Sequence, residues 1–397
     1  MITDDEVMRI LERADPARVD DDIPMIDAAG YLDVLRTSSN VTLIDTEPTS
    51  TRPSRRRWAI ITAAAAAVVA IVVGGLVLAA RDDATAPADR PARATNVTPT
   101  TPARVVLTPL VGIRSRLGKQ GVEELFRVHS DTAAYWRVAT LPEFDGRMFT
   151  MPSRTLVPLD EADEAGPGGR TILQQIEIQG LDGQLLPAAA DPRQVVSNAE
   201  IRFEPDTSTL VKTSPLLPGD QYSVVSAAPD VSPEMLRAAS SKNPPDDVFL
   251  GLPDNLPDLV AELADEVTAS ATTDYDRMIA LQNWFRTFDY SVDVQSGHSS
   301  NAIENFLQTR TGYCEQFAAA FAVMARTLDI PSRVAVGFTP GNLSLDGSYS
   351  VTSAQSHAWP ELWFDDIGWV AFEPTPGRGA PGAEDYTGVE AAQQAAP

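Results

Sequence analysis

The chain has 397 residues, of which 43% are hydrophobic, and it carries a formal net charge of −24 at pH 7. This length allows two or three domains, and the negative charge argues against nucleic acid or an anionic lipid surface as the main partner. The single cysteine excludes an intrachain disulfide, and one cysteine with three dispersed histidines gives no zinc-ligand cluster. We therefore expect neither a metal nor a cofactor.

The first 57 residues are polar and too few to build a core of their own. A capping box at Thr3–Glu6 predicts one short helix, and residues 26–35 could form a second one. We interpret 1–57 as a largely flexible tail that could dock a cytoplasmic partner.

Residues 58–80 are predicted to form a single transmembrane helix. Positions 59–80 carry no charge, and at about 1.5 Å per residue they span roughly 33 Å, which matches a hydrocarbon core of about 30 Å. Arg52 and Arg55–Arg57 precede this run, so the positive-inside rule places the N-terminus in the cytoplasm and the rest outside. A buried alanine-rich helix and a cleaved signal peptide are the weaker alternatives.

Residues 81–104 are rich in proline, threonine and alanine and predict an extended linker. Alternating patterns then predict a β-rich extracytoplasmic domain over 105–230, with strands near 125–129, 134–138, 170–179 and 221–226. His129 lies in one of these strands and is expected to be structural or on the surface.

The segment 232–309 predicts helices. Ser232 followed by Pro233 is a helix start, and further helices are expected over 256–270, 274–288 and 301–309. Trp284 is expected to be a core aromatic rather than an oxyanion donor. The glycine-, alanine- and glutamine-rich residues 378–397 are expected to be disordered.

Cys314, the only cysteine, begins a run of helix formers in which Phe317, Phe321, Met324 and Leu328 recur at helical spacing. The cysteine is thereby placed in the first turn of a buried helix, where the helix dipole favours the thiolate. A lone cysteine is more often a small buried hydrophobe.

A histidine and an acid follow on predicted strands. His357 opens a strand over 357–364, and after a turn the strand 369–373 returns antiparallel, with paired residue numbers summing to roughly 733. This register brings Glu373 within reach of the His357 ring. A thiol, an imidazole and a carboxylate in this order are the parts of a cysteine nucleophile with its base and orienter.

Three motifs resemble the core of the transglutaminase-like superfamily: Gly-Tyr-Cys at 312–314, His-Ala-Trp-Pro-Glu at 357–361 and Gly-Trp-x-x-x-Glu-Pro-Thr at 368–375. Residues 107–377 as a whole resemble the TgpA-type bacterial membrane proteins of that superfamily. The resemblance implies an α+β fold: a papain-like core, with the cysteine helix packed on an antiparallel sheet, over 231–377, preceded by the all-β domain and the transmembrane helix.

By the same resemblance Cys314 is the nucleophile, His357 the base and Glu373 the acid. Gln316 and Trp359 are candidate substrate-binding residues. Two positions depart from the family pattern. Glu373 replaces the usual aspartate, and Pro360 lies inside the histidine strand, which should therefore be an edge strand or carry a bulge there.

These residues predict a cysteine acyltransferase or cysteine protease that forms a thioester with a glutamine carboxamide or a peptide carbonyl. The expected partner is a protein or peptide, such as a cell-envelope protein. Two alternatives remain open: a catalytically silent module that binds a peptide or cell-wall polymer, and a sensor that signals through residues 1–57.

Overall fold

The computed structural model describes residues 123–151, 156–158, 169–294 and 302–393. The predicted tail, membrane helix and linker at 1–104 lie outside these ranges. Within the described ranges no helix is both long enough and apolar enough to cross a bilayer.

Strands dominate the first half of the described chain. In chain order these are β1 Glu124–His129, β2 Trp136–Leu141, β3 Glu143–Phe144, β4 Phe149–Thr150, β5 Arg170–Ile178, β6 Leu185–Leu186, β7 Ala188–Ala189, β8 Asp191–Ser197, β9 Ile201–Glu204, β10 Thr209–Lys212 and β11 Gln221–Ala228. The alternating patterns near 125, 134, 170 and 221 are thus confirmed as strands.

Helices and further strands follow. The helices are α1 Pro233–Ala238, α2 Asp258–Thr268, α3 Asp274–Phe285, α4 Ala302–Thr309, α5 Cys314–Thr327 and α6 Glu384–Thr387, with 3-10 turns at Asp247–Leu250 and Ser353–Gln355. The strands are β12 Asp289–Tyr290, β13 Thr311–Gly312, β14 Ser332–Phe338, β15 Asn342–Leu343, β16 Ser348–Thr352, β17 Ser356–Phe364, β18 Gly368–Ala371, β19 Arg378–Gly379 and β20 Ala392–Gln393.

The five-stranded sheet that carries the candidate site has the order β18-β17-β14-β2-β7. Helix α5 packs on it, and Phe317, Phe321 and Met324 are fully buried between the sheet and the other helices. Every residue of β14 is buried, because both faces of this central strand are covered. The observed helices end within a few residues of their predicted boundaries.

Both large sheets cross the domain boundary that the sequence analysis placed at residue 230. Strand β2 pairs with β14, and β1 pairs with β16 in the six-stranded sheet, whose order is β15-β16-β1-β5-β11-β8. The expected all-β domain therefore shares its sheets with the region that carries the candidate site. The paired strands lie some 200 residues apart in the sequence, so no local pattern could have predicted their pairing.

The stretch 378–393 is ordered, so the expectation of disorder was wrong there. Its composition has no periodicity, and long-range hydrogen bonds hold it instead. The Tyr275 hydroxyl donates to the carbonyl of Tyr386 at 2.5 Å, and the Gln282 side chain donates to the carbonyl of Thr387 at 2.9 Å. The Gly341 amide donates to the Gln393 side chain at 2.7 Å.

Pro360 lies in β17, which has β14 on one side and β18 on the other. Its carbonyl accepts a hydrogen bond from the amide of Phe372, so its missing N–H faces the β18 side. Strand β18 ends at Ala371 and pairs with β17 only from Glu361 onward. The proline thus stands where β17 becomes an edge strand on that side, as the sequence analysis allowed.

A buried ion cluster joins three strands of this sheet. Glu361 on β17 accepts from Arg333 on β14 at 2.8 Å and from Arg137 on β2 at 3.3 Å. All three side chains are at least nine-tenths buried, and the Arg333 guanidinium stacks on the Trp369 ring at 4.1 Å. Burial raises the pKa of Glu361, but the two arginines outweigh this and hold it below its usual value.

Replacing Glu361 by alanine should lower the free energy of unfolding by about 3–5 kcal/mol, because two buried guanidinium groups lose their counter-ion. Urea unfolding of the full chain measures this. Arg127→Ala is the control: it removes one partner of an exposed pair with Glu124 and should cost less than about 1 kcal/mol. Equal losses in the two variants would show that the buried cluster contributes little.

Candidate active site

Cys314 is the first residue of α5, as the sequence predicts. Tyr313 precedes it in extended conformation, and the Tyr313 amide donates to the side-chain oxygen of Gln316 at 3.3 Å. Gly312 is required because a Cβ there would lie 2.6 Å from that oxygen and 2.7 Å from the Phe306 ring. Local sequence therefore starts the helix at the cysteine, in the first turn, where backbone amides have no partner within the helix.

The thiol of Cys314 is completely buried. Burial raises its pKa to about 12, against the opposing effects of the Arg378 charge and a hydrogen bond from the Ala358 backbone. The thiol thus lies beside the residue that follows His357. In this closed conformation burial outweighs the helix dipole, and the sulfur is protonated at neutral pH rather than being the thiolate that the helix-start position predicted.

His357 and Glu373 are in contact: the imidazole Nε2 lies 2.7 Å from Oε2 of the carboxylate. The β17–β18 register sums to 732, as in the pair Trp363–Trp369, one less than predicted. Glu373 stands two residues beyond the end of β18, and its side chain turns back to the histidine at the edge of β17.

Two further donors fix the Glu373 carboxylate. The Tyr135 hydroxyl donates to Oε2 at 2.8 Å, and the Thr375 amide donates to Oε1 at 3.0 Å. Burial raises the pKa of Glu373, but these two donors and His357 together lower it. The carboxylate therefore stays ionised although it is only 1% exposed.

The imidazole of His357 is fully buried, and burial lowers its pKa despite the opposing charge of Glu373. A neutral ring that donates from Nε2 to the carboxylate has a lone pair on Nδ1. Among the described residues, Nδ1 has no hydrogen-bond partner. The ring therefore offers an unused proton acceptor inside the site.

Arg286, just after α3, holds the backbone around the acid. Its Nη1 donates to the carbonyls of Glu373, Thr375 and Arg378, at 2.9–3.0 Å. On the same helix the side chain of Gln282 accepts from the Glu373 amide at 3.1 Å. Helix α3 thus anchors both the acid and the segment that follows it.

Sequence reasoning missed several residues at the site. Tyr135 lies just before β2, more than 200 residues from its partner Glu373, and Arg378 was assigned to the tail expected to be disordered. Tyr290, at the end of β12, lies within electrostatic range of the Cys314 thiol and the Arg378 guanidinium. No sequence signal marked these side chains, because each reaches the site through tertiary packing alone.

The two candidate substrate-binding residues have partners within the protein. Gln316 caps α5 through its side-chain oxygen, and Trp359, 3% exposed, donates from Nε1 to Glu361 at 3.3 Å. Their contact with a substrate stays a prediction. Trp284 packs against Phe285 and Phe288, as expected of a core aromatic. In the described part of the chain, no group of His, Cys, Asp and Glu has the arrangement of a metal site.

Two family models match the sequence. The model described as the TgpA N-terminal domain covers residues 26–233, just over half of the chain, and that of the transglutaminase-like superfamily covers 261–374.

Two curated proteins are similar to part of the chain. The chain is 31% identical over 141 residues to the uncharacterized protein YebA of Bacillus subtilis, a match that covers 33% of the chain and 19% of that protein. It is 31% identical over 116 residues to a protein-glutamine gamma-glutamyltransferase of Pseudomonas aeruginosa, covering 28% of the chain and 17% of that protein. The chain thus spans about a fifth of the length of these relatives.

The fold resembles the crystal structure of the periplasmic domain of TgpA from Pseudomonas aeruginosa, with a TM-score of 0.54 and 24% identity over 70% of this chain and 94% of that one. The ethylmercury-bound form of that domain matches with a TM-score of 0.53 and 23% identity, over 68% of this chain and 96% of that one. A helix that begins at Cys314, a strand that has His357 as its second residue and a shared α+β fold agree with the two family-model matches, and the chain belongs to the TgpA-type transglutaminase-like family.

Proposed function

We propose that this protein is a cysteine acyl-transfer enzyme in which Cys314, His357 and Glu373 act together. The observation that carries the proposal is the contact between His357 and Glu373: Nε2 of the ring lies 2.7 Å from Oε2 of the carboxylate, and Nδ1 has no hydrogen-bond partner among the described residues. This is the arrangement in which a buried acid orients a base toward a nucleophile.

In the proposed reaction, Sγ of Cys314 attacks the carbon of a glutamine carboxamide or a peptide carbonyl while Nδ1 of His357 takes the thiol proton. The C–N bond breaks, the departing nitrogen receives that proton, and a thioester remains on the cysteine. An amine that attacks the thioester gives transamidation, and water gives deamidation or proteolysis. The backbone amide of Cys314, at the helix start, is the proposed first donor to the oxyanion.

The buried thiol must become accessible and lose its proton before it can react. With a pKa of about 12, it would ionise at pH 7 in only about 1 in 10⁵ molecules. We infer that the described conformation is a closed one. Substrate entry then requires the residues that enclose the thiol to move, and transfer of the proton to His357 replaces free ionisation.

The proposed location is outside the cytoplasm, with residues 58–80 as a single membrane anchor. The similarity of the fold to a periplasmic domain and the uncharged run at 59–80 support this. The substrate is then a protein or peptide of the cell envelope, consistent with the name of the Pseudomonas relative, a protein-glutamine gamma-glutamyltransferase.

Incubating the full chain with a glutamine peptide should give a deamidated product about 1 Da heavier than the peptide, and with an added primary amine it should also give the transamidated product. Mass spectrometry distinguishes the two products by their masses. Cys314→Ala and His357→Ala should each abolish product formation. Glu373→Gln should reduce the rate by a smaller factor, because the amide can still orient the ring.

The control for that experiment is His129→Ala, which removes an exposed histidine at the end of β1 and should leave the rate unchanged. Cys314→Ser separates the enzyme from the silent binding module, for which the full burial of the thiol is the supporting observation. A Cys314→Ser protein that retains the whole function in cells would contradict the enzyme.

The protonation of His357 can be measured without a substrate. Since burial lowers its pKa, the ring should stay neutral through pH 7, with the proton on Nε2, and become charged only below the ordinary histidine range. Long-range ¹H–¹⁵N correlation spectra report the tautomer, and Glu373→Ala should shift it toward the mixture found for a free imidazole. A His357 signal that is already cationic at pH 7 would be incompatible with the proposed base.

A further inference from the structure

Arg378 is a buried arginine near Cys314. The proposed reaction gives it no role. Its backbone is fixed, because its amide donates to the carbonyl of Thr375 and its carbonyl accepts from Arg286. It also begins β19, where it pairs with Gln393. The residue is 2% exposed, so its guanidinium is enclosed by protein.

One end of the Arg378 guanidinium is not satisfied by the protein around it. Within the described ranges its Nη2 is buried and makes no hydrogen bond of ordinary geometry. Leaving a buried charged donor without a partner costs more than leaving a neutral one. A group of this kind indicates a ligand that is absent from the free protein.

The other buried arginines show the contrast. Arg333 is paired with Glu361 at 2.8 Å, and Arg326 donates to the carbonyls of Gly251, Pro142 and Ser332 at 2.5–2.7 Å. In both cases the fold supplies acceptors for the charge. At Arg378 one end of the guanidinium has no such acceptor among the described residues.

A second unsatisfied group stands at the same place. The Tyr290 hydroxyl is buried and makes no hydrogen bond of ordinary geometry among the described residues, but it lies close enough to the Arg378 guanidinium and the Cys314 thiol to interact weakly with both. The positive charge of Arg378 also acts on Cys314 and His357. A guanidinium and a hydroxyl thus converge next to Cys314, where neither makes a hydrogen bond of ordinary geometry through its buried end.

We propose that Arg378 and Tyr290 form a binding site for a carboxylate of the substrate, placed next to the carbonyl that Cys314 attacks. The planar guanidinium matches the two oxygens of a carboxylate, and the tyrosine hydroxyl supplies a further donor. As a substrate assignment this rests on the proposed function, but the anion site itself can be tested without any turnover.

The experiment compares two alkylating reagents of nearly equal size, iodoacetate and iodoacetamide, on the full chain. The net charge of −24 repels the anionic reagent, so a preference for iodoacetate must come from local positive charge. Peptide mass spectrometry gives the rate of Cys314 alkylation by each reagent. Taking the ratio of the two rates cancels any barrier to entry that both reagents share.

Wild-type protein should favour iodoacetate, and Arg378→Met should lower the iodoacetate-to-iodoacetamide ratio by about tenfold, the loss expected for one charge-assisted hydrogen bond. Arg378→Lys keeps the charge without the planar fork and should give an intermediate ratio, and Tyr290→Phe a smaller decrease. Arg202→Met is the matched control, because it removes an arginine that pairs with Glu200 at the surface. It should leave the ratio unchanged.

If Arg378 serves only to stabilise the thiolate, Arg378→Met would slow both reagents equally and leave the ratio constant. That result, or a wild-type protein that prefers iodoacetamide, would overturn the carboxylate site.

A second measurement needs neither alkylation nor a thiol. Succinate should raise the thermal unfolding midpoint of the wild type and of Cys314→Ala, whereas succinamide at the same concentration should not, because only the anion binds the folded site. Stabilisation by both compounds or by neither would contradict the proposal. Succinate binding to a protein that shows no acyl transfer would leave this site standing while the proposed function fails.

Discussion

The buried carboxylate of Glu373 is the interaction on which the arrangement of the site depends. An ion removed from water needs donors in place of its hydration shell, and here they come from three places: Tyr135 before β2, His357 on β17 and the Thr375 amide. Each donor belongs to a part of the chain that the five-stranded sheet brings together. The sheet therefore has to form before the histidine acquires its orientation.

Burial determines the protonation states of the residues in this site. It keeps the His357 imidazole neutral and the Cys314 thiol protonated, while the ionised Glu373 is retained by its donors. Water would weaken each of these effects by screening the charges. The cost is that the thiol is inaccessible in the described conformation, so the proposed reaction requires it to become exposed.

The buried charges at Glu361 and at Arg378 differ in whether the protein supplies all of their partners. Around Glu361 the anion has both Arg137 and Arg333 as partners, so the cluster is complete without a ligand and fixes three strands. Arg378 has a hydrogen-bonded backbone, but Nη2 of its guanidinium has no hydrogen-bond partner among the described residues. A buried charge whose partners all come from the protein fits a structural role. A buried charge that lacks a partner beside Cys314 fits a binding role.

The sequence by itself determined the local structure: α5 beginning at Cys314, the buried strand β14 and the hairpin that carries His357 toward Glu373. Propensity, glycine positions and alternation act within a few residues of each other, and they are therefore readable along the chain. Only the tertiary structure decided that β2 joins the sheet of the site, that 378–393 is ordered, and that Tyr135, Tyr290 and Arg378 meet there. These contacts join residues far apart in sequence, and the hydrogen bonds and burial that stabilise them exist only once the chain has folded.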